Sequence, residues 1–367
     1  MLAKTKPPKV RVLIVDDSRV VRIAASKMFG EEFDVVLAVD GEDGWDIIQR
    51  DPDIQVVFTD LVMPVMDGFE LLKLIRTCSK ESISNLPVIV ATGADNPEVA
   101  KQKAISLGAT DFIAKPFDAM AIRARAIAYA RLHKANKVLQ QQTTLDVMTG
   151  LLNFKGLEQQ LTKEMAFVSR HQANMTVVGV ELDGFKDMFI RVGRAGAEAI
   201  IKRVANVLID TVRKEDTVAR TGVASFTITM PLAQTNNALE LSDRICRKVE
   251  QLKARLDGKK MDITVSSGIC ALDANGTMDV ETVLAATEYA LEQANAIGRS
   301  QMYQISLLDF QVLQARMAGD AFSIDELLKN IKEGNDGAVI PCLEVALERL
   351  APFIDLLSIQ QKQSLLS

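Results

Sequence analysis

The chain has 367 residues, a formal net charge of −5 and a hydrophobic content of 48%. This length suits two or three domains rather than one, and the apolar content is sufficient for buried cores. The acidic balance argues against sequence-independent binding of nucleic acid, which requires basic charge. Partners are therefore expected to be proteins or small ligands.

The few cysteines and histidines lack the close spacing of zinc or redox sites; they are Cys78, Cys246, Cys270, Cys342, His133 and His171. This pattern indicates reduced thiols and no zinc site. Residues 1–9 contain no apolar core of signal-peptide length, and eighteen apolar residues never occur in succession. We expect a cytoplasmic protein with no membrane partner.

Short apolar runs alternate with segments of helical spacing at the start of the chain. Strands are predicted around residues 10–15, 35–37, 56–58, 88–90 and 112–114. Such alternation predicts a doubly wound parallel sheet, in which ligands gather at the carboxyl ends of the strands. The polar residues at those ends are Asp16, Asp17, Asp60, Thr92 and Lys115. Three neighbouring carboxylates repel one another and require a cation, and hard oxygen ligands suit Mg²⁺.

This set, together with Met63-Pro64, Asp67-Gly68 and Lys115-Pro116, resembles the receiver domain of response regulators. The resemblance covers residues 1–118 and implies a flavodoxin-like fold in which Asp60 accepts a phosphoryl group. Asp17 and Asp60 would hold Mg²⁺ directly, and Asp16 would act through water.

The resemblance also implies a switch in which Lys115 pairs with the phosphoryl oxygens, Thr92 hydrogen-bonds them and Phe112 is the aromatic switch residue. The phosphodonor would be a sensor histidine kinase or a phosphotransfer protein. Two alternatives are that the carboxylates cap helices, and that the domain binds partners without being phosphorylated.

Residues 119–144 contain neither proline nor glycine and are rich in good helix formers, so we predict a helical linker. Leu132, Ala135, Leu139 and Gln142 recur at alternating spacings of three and four. This pattern fits either the seam of a parallel homodimer or a solvated connecting helix.

Four further segments resemble the GGDEF domain of diguanylate cyclases: residues 146–153 (DVMTGLLN), 181–186 (ELDGFK), 264–269 (TVSSGI) and the helical stretch 286–299. A predicted hairpin lies between them, in which Arg213 and Asp216 precede Gly222 to Phe226 at the family's offset of five residues. The resemblance covers residues 145–306 and implies a nucleotide-cyclase-like α/β fold with a mixed sheet.

The active-site turn departs from the family's Gly-Gly-Asp/Glu-Glu-Phe, because only Gly222 and Phe226 are kept and Val223, Ala224 and Ser225 carry no carboxylate. Joining two GTP molecules requires two metal ions and convergent carboxylates, whose positions here are Glu181 and Ser225. Val223 is also badly suited to the space and to any positive φ.

The family's guanine-reading Asn and Asp align with Phe189 and Glu198, and its phosphate-binding Lys aligns with Asn295. We therefore predict a domain without catalytic residues, an inactive diguanylate cyclase homologue. The alternative is a weakly active, phosphorylation-controlled cyclase that relies on Glu181.

Arg213 and Asp216 match the family's inhibitory site, where the Arg contacts guanine or phosphate of cyclic di-GMP and the Asp accepts from guanine N–H groups. The resemblance thus implies a response regulator that acts as a cyclic di-GMP receptor. The alternatives are an ordinary surface ion pair and an interaction adaptor that is indifferent to nucleotide.

Residues 307–367 are predicted to form a helical extension. A capping box at Ser323–Glu326 opens one helix that runs to Gly334, and a second helix after Pro341 carries an apolar stripe of Leu343, Leu347, Leu350 and Ile354. This extension either packs on its own domain or docks a partner.

Overall fold

The computed structural model describes residues 9–93, 97–116, 118–252, 254–256, 259–272 and 279–317. These residues form two five-stranded sheets with separate cores, and one long helix leads from the first sheet to the second. Among the described residues, no helix combines the length and apolar character that crossing a bilayer requires.

The first sheet is wholly parallel and has the order β2-β1-β3-β4-β5. Its strands are β1 (Val10–Val15), β2 (Phe33–Ala38), β3 (Val56–Asp60), β4 (Val88–Thr92) and β5 (Asp111–Ala114). The helices between them are α1 (Arg19–Phe29), α2 (Gly41–Arg50), α3 (Gly68–Thr77), α4 (Glu81–Ser84) and α5 (Pro97–Ser106), with a 3-10 turn at Gly30–Glu32. All five predicted strands are confirmed, and the order is that of a flavodoxin-like doubly wound fold.

Helices cover both faces of this sheet because successive strand residues point to opposite sides. Leu13 and Val15 pack with α2 and α3 on one face, whereas Val12 and Ile14 pack with α1 on the other. The chain order reverses at β1, between β2 and β3, so a crevice opens at the carboxyl ends of β1 and β3.

The long helix α6 (Ala119–Gln142) has 24 residues and begins at Asp118, whose side chain accepts from two backbone N–H groups. At ~1.5 Å per residue it is about 36 Å long. Ile122, Ala126 and Ala130 are buried in the first domain's core, so the first three turns pack on that domain. Leu132 and Leu139, farther on, are more than half exposed. The predicted helix is present, and its homodimer seam stays a prediction.

The second sheet is mixed and has the order β12-β11-β6-β8-β7, with one parallel pair between β11 and β12. Its strands are β6 (Met175–Leu182), β7 (Thr217–Arg220), β8 (Ser225–Pro231), β11 (Val265–Leu272) and β12 (Met302–Ser306). Two short strands, β9 (Ala254–Leu256) and β10 (Lys259–Met261), pair with each other. The helices are α7 (Phe154–Arg170), α8 (Phe185–Ile209), α9 (Thr235–Glu250), α10 (Val280–Ile297) and α11 (Leu307–Met317).

The predicted signature hairpin is present, because β7 and β8 pair antiparallel with Arg220 opposite Phe226. Phe226 is fully buried and anchors the hairpin in the core under α8 and α9. Helix α11 packs Leu307 and Phe310 against α10 and β12. The predicted helices at 323–334 and after Pro341 lie outside the described residues.

Candidate functional sites

Three carboxylates meet at the crevice of the first sheet. Asp16 and Asp17 follow β1, Asp60 ends β3, and one oxygen from each lies within 4.8 Å of the others. Asp16 is buried and Asp17 is exposed. In the described part of the chain this is the one cluster of three acidic, histidine or cysteine side chains close enough to share a metal ion.

Lys115, just after β5, bridges two of these carboxylates. Its Nζ lies 2.6 Å from Asp16 Oδ2 and 2.7 Å from Asp60 Oδ2. Burial alone would lower the pKa of Lys115, but the hydrogen bonds to Asp16 and Asp60 outweigh it and raise that pKa above its ordinary value. The ammonium group is therefore held firmly charged between Asp16 and Asp60.

Backbone groups fix the remaining carboxylate oxygens. The N–H of Ser18 donates to Asp16 Oδ1 at 2.9 Å, and the N–H of Leu61 donates to Asp60 Oδ1 at 2.7 Å. One lysine against three carboxylates leaves the crevice negative. An all-oxygen donor set of this charge fits Mg²⁺, which would be held by Asp16, Asp17 and Asp60 and would neutralise a phosphoryl group.

The predicted switch residues lie at the same edge of the sheet. Thr92 ends β4 opposite Ala114 of β5, which places it one strand from Lys115. Phe112 is half-buried beside Leu61 and Val90. The five polar residues predicted from strand ends are thus gathered along one edge.

Gly68 is required for the close packing behind Asp60. A Cβ at residue 68 would lie 2.0 Å from the Asp60 carbonyl oxygen, far inside any real contact. The Gly68 N–H also donates to the Leu61 carbonyl at 3.1 Å. The glycine therefore lets the start of α3 pack directly on the backbone of Asp60.

In the second domain, the two positions where the family carries metal-binding carboxylates are in contact. Glu181 of β6 and Ser225 of β8 face each other in the sheet register, and Ser225 Oγ donates to Glu181 Oε1 at 3.1 Å. Asn295 of α10 donates to the other oxygen, Oε2, at 2.6 Å. Both oxygens of Glu181 are thus engaged by neutral side chains.

The neighbouring carboxylate, Asp183, is hydrogen-bonded to two other segments of the second domain. Its Oδ1 accepts from Ser266 Oγ at 2.7 Å, and its Oδ2 accepts from the Ser300 N–H at 2.8 Å. Neither oxygen is left to face the cleft alone. The cleft therefore has two carboxylates, Glu181 and Asp183, each hydrogen-bonded through both oxygens, and a serine at position 225. Two metal ions require convergent carboxylates that are free to coordinate, so the residues present do not fit a metal pair.

The signature turn from Gly222 to Phe226 does not require a positive φ at Val223. Among the described residues other than glycine, positive φ occurs at Val65, Gln172, Leu232 and Ser300, so Val223 is not strained in this way. The turn closes instead by donation from the N–H groups of Thr221 and Gly222 to the Ser225 carbonyl. The other expectation, that the side chain of Val223 fills space near the backbone of the turn, stays a prediction. Val223 lines two neighbouring cavities, of 440 and 260 Å³.

These two cavities also have walls from the first domain. The larger is lined by Thr77 and Ser79 together with Glu181, Ser225 and Asn295. The smaller contains Phe189 and Glu198, the positions of the family's guanine-reading residues. Its wall also includes Arg76, Glu81 and Asn85 of the first domain, none of which the sequence singled out.

Arg213 and Asp216 lie in the turn before β7. The Arg213 N–H donates to Asp216 Oδ2 at 2.9 Å, while the Arg213 side chain is exposed. Burial raises the pKa of Asp216, although its bond to that N–H acts in the opposite direction. The aspartate therefore supports the turn, and the guanidinium is available at the surface.

Two family models match the chain, the response regulator receiver domain over residues 12–127 and the diguanylate cyclase GGDEF domain over residues 143–301. Diguanylate cyclase DosC of Escherichia coli (strain K12) is 30% identical over 166 residues, which are 45% of this chain and 36% of that protein. Response regulator GtcR of Aneurinibacillus migulanus is 34% identical over 121 residues, 33% of this chain and 47% of the relative. The chain thus spans less than half the length of either relative.

Among solved structures, the isolated GGDEF domain of TpbB (YfiN) from Pseudomonas aeruginosa is 26% identical, with a TM-score of 0.42, and the match covers 46% of this chain and 99% of that one. The two family matches fall on the two sheets described above. The first match ends within α6, and the second begins just after that helix. The chain therefore contains a response regulator receiver domain over residues 12–127 and a GGDEF domain over residues 143–301.

Proposed function

We propose that this protein is a two-component response regulator that is phosphorylated on Asp60 and whose GGDEF domain does not synthesise cyclic di-GMP. In this proposal the GGDEF domain is a cyclic di-GMP receptor through Arg213 and Asp216, an interaction output, or both. A kinase or phosphotransfer protein supplies the phosphoryl group, and Mg²⁺ binds with it at the receiver crevice.

The observation that carries the proposal is the contrast between the two acidic sites. The receiver crevice has three convergent carboxylates and a bridging lysine. The GGDEF cleft has Glu181 bonded to Ser225 and Asn295, and Asp183 is engaged by Ser266 and Ser300. Such a cleft cannot neutralise a triphosphate with two metal ions, so GTP condensation is not expected.

The first experiment measures whether the protein converts GTP to cyclic di-GMP. Full-length protein, activated with beryllium fluoride as an acyl-phosphate mimic, is incubated with GTP and Mg²⁺, and cyclic di-GMP is quantified by mass spectrometry. We expect no product above the level of a Glu181→Ala control. Product that the Glu181→Ala variant loses would establish the competing function, a weak cyclase.

The second experiment tests the receptor by calorimetry with cyclic di-GMP. Arg213→Ala removes the exposed guanidinium but keeps the backbone N–H that donates to Asp216. Lys214→Ala is the matched control, because it removes an adjacent exposed cation. Saturable heat that Arg213→Ala abolishes and Lys214→Ala retains supports the receptor. Absence of heat, or equal effects of both variants, would favour the adaptor.

A further inference from the structure

The receiver domain rests on the cleft side of the GGDEF domain. Helix α3 and the segment after it provide Thr77, Ser79 and Glu81 to the walls of the two cleft cavities. The Ser79 carbonyl oxygen lies 3.6 Å from the position of a Cβ on Gly222, the first residue of the signature turn. The receiver therefore reaches the turn that would have to contact a nucleotide.

A charged cluster joins the two domains at this point. Arg220 Nη1, at the end of β7, lies 3.2 Å from Glu81 Oε1 of the receiver and 3.0 Å from Asp146 Oδ2 of the GGDEF domain. Its Nη2 donates to the Val223 carbonyl at 2.8 Å. The Arg220 side chain is 9% exposed, whereas that of Glu81 is 39% exposed. One buried guanidinium thus connects the receiver to the signature turn.

A second contact lies along α8, which bends at Gly193 with φ 67° and ψ −178°. A Cβ at residue 193 would lie 2.8 Å from the Ser106 carbonyl oxygen at the end of α5. A glycine with left-handed φ is therefore what allows α5 to approach this closely. Helix α5 is the element that follows β4 in the chain, and β4 ends at Thr92 on the edge of the sheet where Asp60 and Lys115 lie.

Two buried arginines, Arg76 and Arg220, lie at or beside the interface between the two domains. Arg76 is buried, and its guanidinium donates to the carbonyls of Gly108, Ser84 and Leu86. Burial, and secondarily the charge of Arg194 from the GGDEF domain, lowers the pKa of Arg76 to about 9. Arg220 Nε is buried without a hydrogen-bond partner. Arg76 is satisfied within the receiver, so the cost at the interface is the buried, unpaired Nε of Arg220. An unsatisfied buried donor favours an interface that can open.

We infer that the receiver is a releasable lid on the GGDEF cleft, latched by Glu81, Arg220 and Asp146. Opening the latch exposes the signature turn and the cleft walls to a ligand or protein partner. The link between opening and phosphorylation rests on the proposed function of Asp60. The latch itself does not, because it is defined by contacts between the domains.

The first test is hydrogen exchange on full-length protein carrying Glu81→Lys, which replaces the ion pair by repulsion. We expect exchange in residues 77–86 and 219–226 to accelerate about fivefold to tenfold. Glu42→Lys, an identical charge change at an exposed position in α2, is the control and leaves both segments unchanged. Equal exchange in the two variants would overturn the lid.

The second test does not depend on how Glu81→Lys folds. Because the Ser79 atom placed near residue 222 is the carbonyl oxygen and not Cβ, Ser79→Cys and Gly222→Cys are combined with Cys78→Ser and bridged by a short bis-maleimide, and the crosslink is followed by mass spectrometry. We expect the bridge to form, and its yield to fall at least twofold with Mg²⁺ and beryllium fluoride, unless Asp60→Asn is present. A bridge that does not form overturns the docked lid. A bridge that forms but ignores beryllium fluoride overturns only its control by Asp60.

Discussion

Replacing Gly68 by alanine tests how tightly the backbone of Asp60 is packed. The new Cβ would lie 2.0 Å from the Asp60 carbonyl oxygen and 2.9 Å from its carbonyl carbon. Because the obstacle is backbone rather than a flexible side chain, the chain must move by about an ångström, at the upper end of overpacking costs of ~1–3 kcal/mol. The higher helix propensity of alanine offsets at most ~1 kcal/mol. We expect a net loss of roughly 2 kcal/mol in the free energy of unfolding.

The single tryptophan makes this measurable in a two-domain chain. Trp45 lies in α2 and packs against the receiver core, so its fluorescence reports unfolding of the first domain. With a urea m-value of ~1–3 kcal/mol/M, the midpoint falls by about 1 M. Gly93→Ala is the control, since a Cβ there would lie 3.9 Å from Lys115 Cβ, an ordinary contact. Equal midpoints for the two variants would refute the packing argument.

Three further predictions concern titratable groups. Lys115→Met removes the cation between Asp16 and Asp60, so the receiver should lose stability without Mg²⁺ and gain more from it than the parent, by Trp45 fluorescence. Because the pKa of Lys115 is raised in the folded protein, the stability that this lysine contributes is complete below its unfolded pKa of about 10.5 and is lost only above that pH. The difference in stability between the parent and Lys115→Met should therefore be constant from about pH 6 to 9. The raised pKa of Asp216 places its protonation at higher pH than usual, so cyclic di-GMP heat should fall as the pH is lowered through the acidic range, and Asp216→Asn should remove that dependence. Burial raises the pKa of Cys246 to about 11 and that of Cys270 to about 12, so iodoacetamide at pH 8 should label both only after unfolding, as peptide mass spectrometry would show.

The receiver site could be predicted from the sequence because parallel strand topology brings its residues together. Once β1, β3, β4 and β5 are identified as neighbouring parallel strands, their carboxyl ends must meet at one edge. Asp16, Asp60 and Lys115 needed no further information, and they are found within hydrogen-bond distance. The signature hairpin could be predicted for a different reason, because its two short antiparallel strands are adjacent in the chain and joined by a tight turn.

The contacts between the domains were not accessible in this way. Glu81 and Arg220 are 139 positions apart, and each resembles an ordinary surface charge in its own segment. Nothing local in the sequence distinguishes a charge that faces solvent from one that faces another domain. The sequence indicated only that Val223 would be badly suited to any positive φ, and the turn closes without requiring one at that residue.

The departures from the cyclase signature and the docking of the receiver involve the same surface. Val223 lines both cleft cavities, and its carbonyl accepts from Arg220, the residue that holds Glu81 of the receiver. Phe189, where the family has a guanine-reading amide, is buried in the core of the GGDEF domain beneath this wall. Apolar side chains at these positions weaken the recognition of a polar nucleotide, but they are well suited to contact with protein. A polar substitution at Val223 should therefore weaken receiver docking while it improves the recognition of a nucleotide, because the same side chain lines the cleft and faces the receiver.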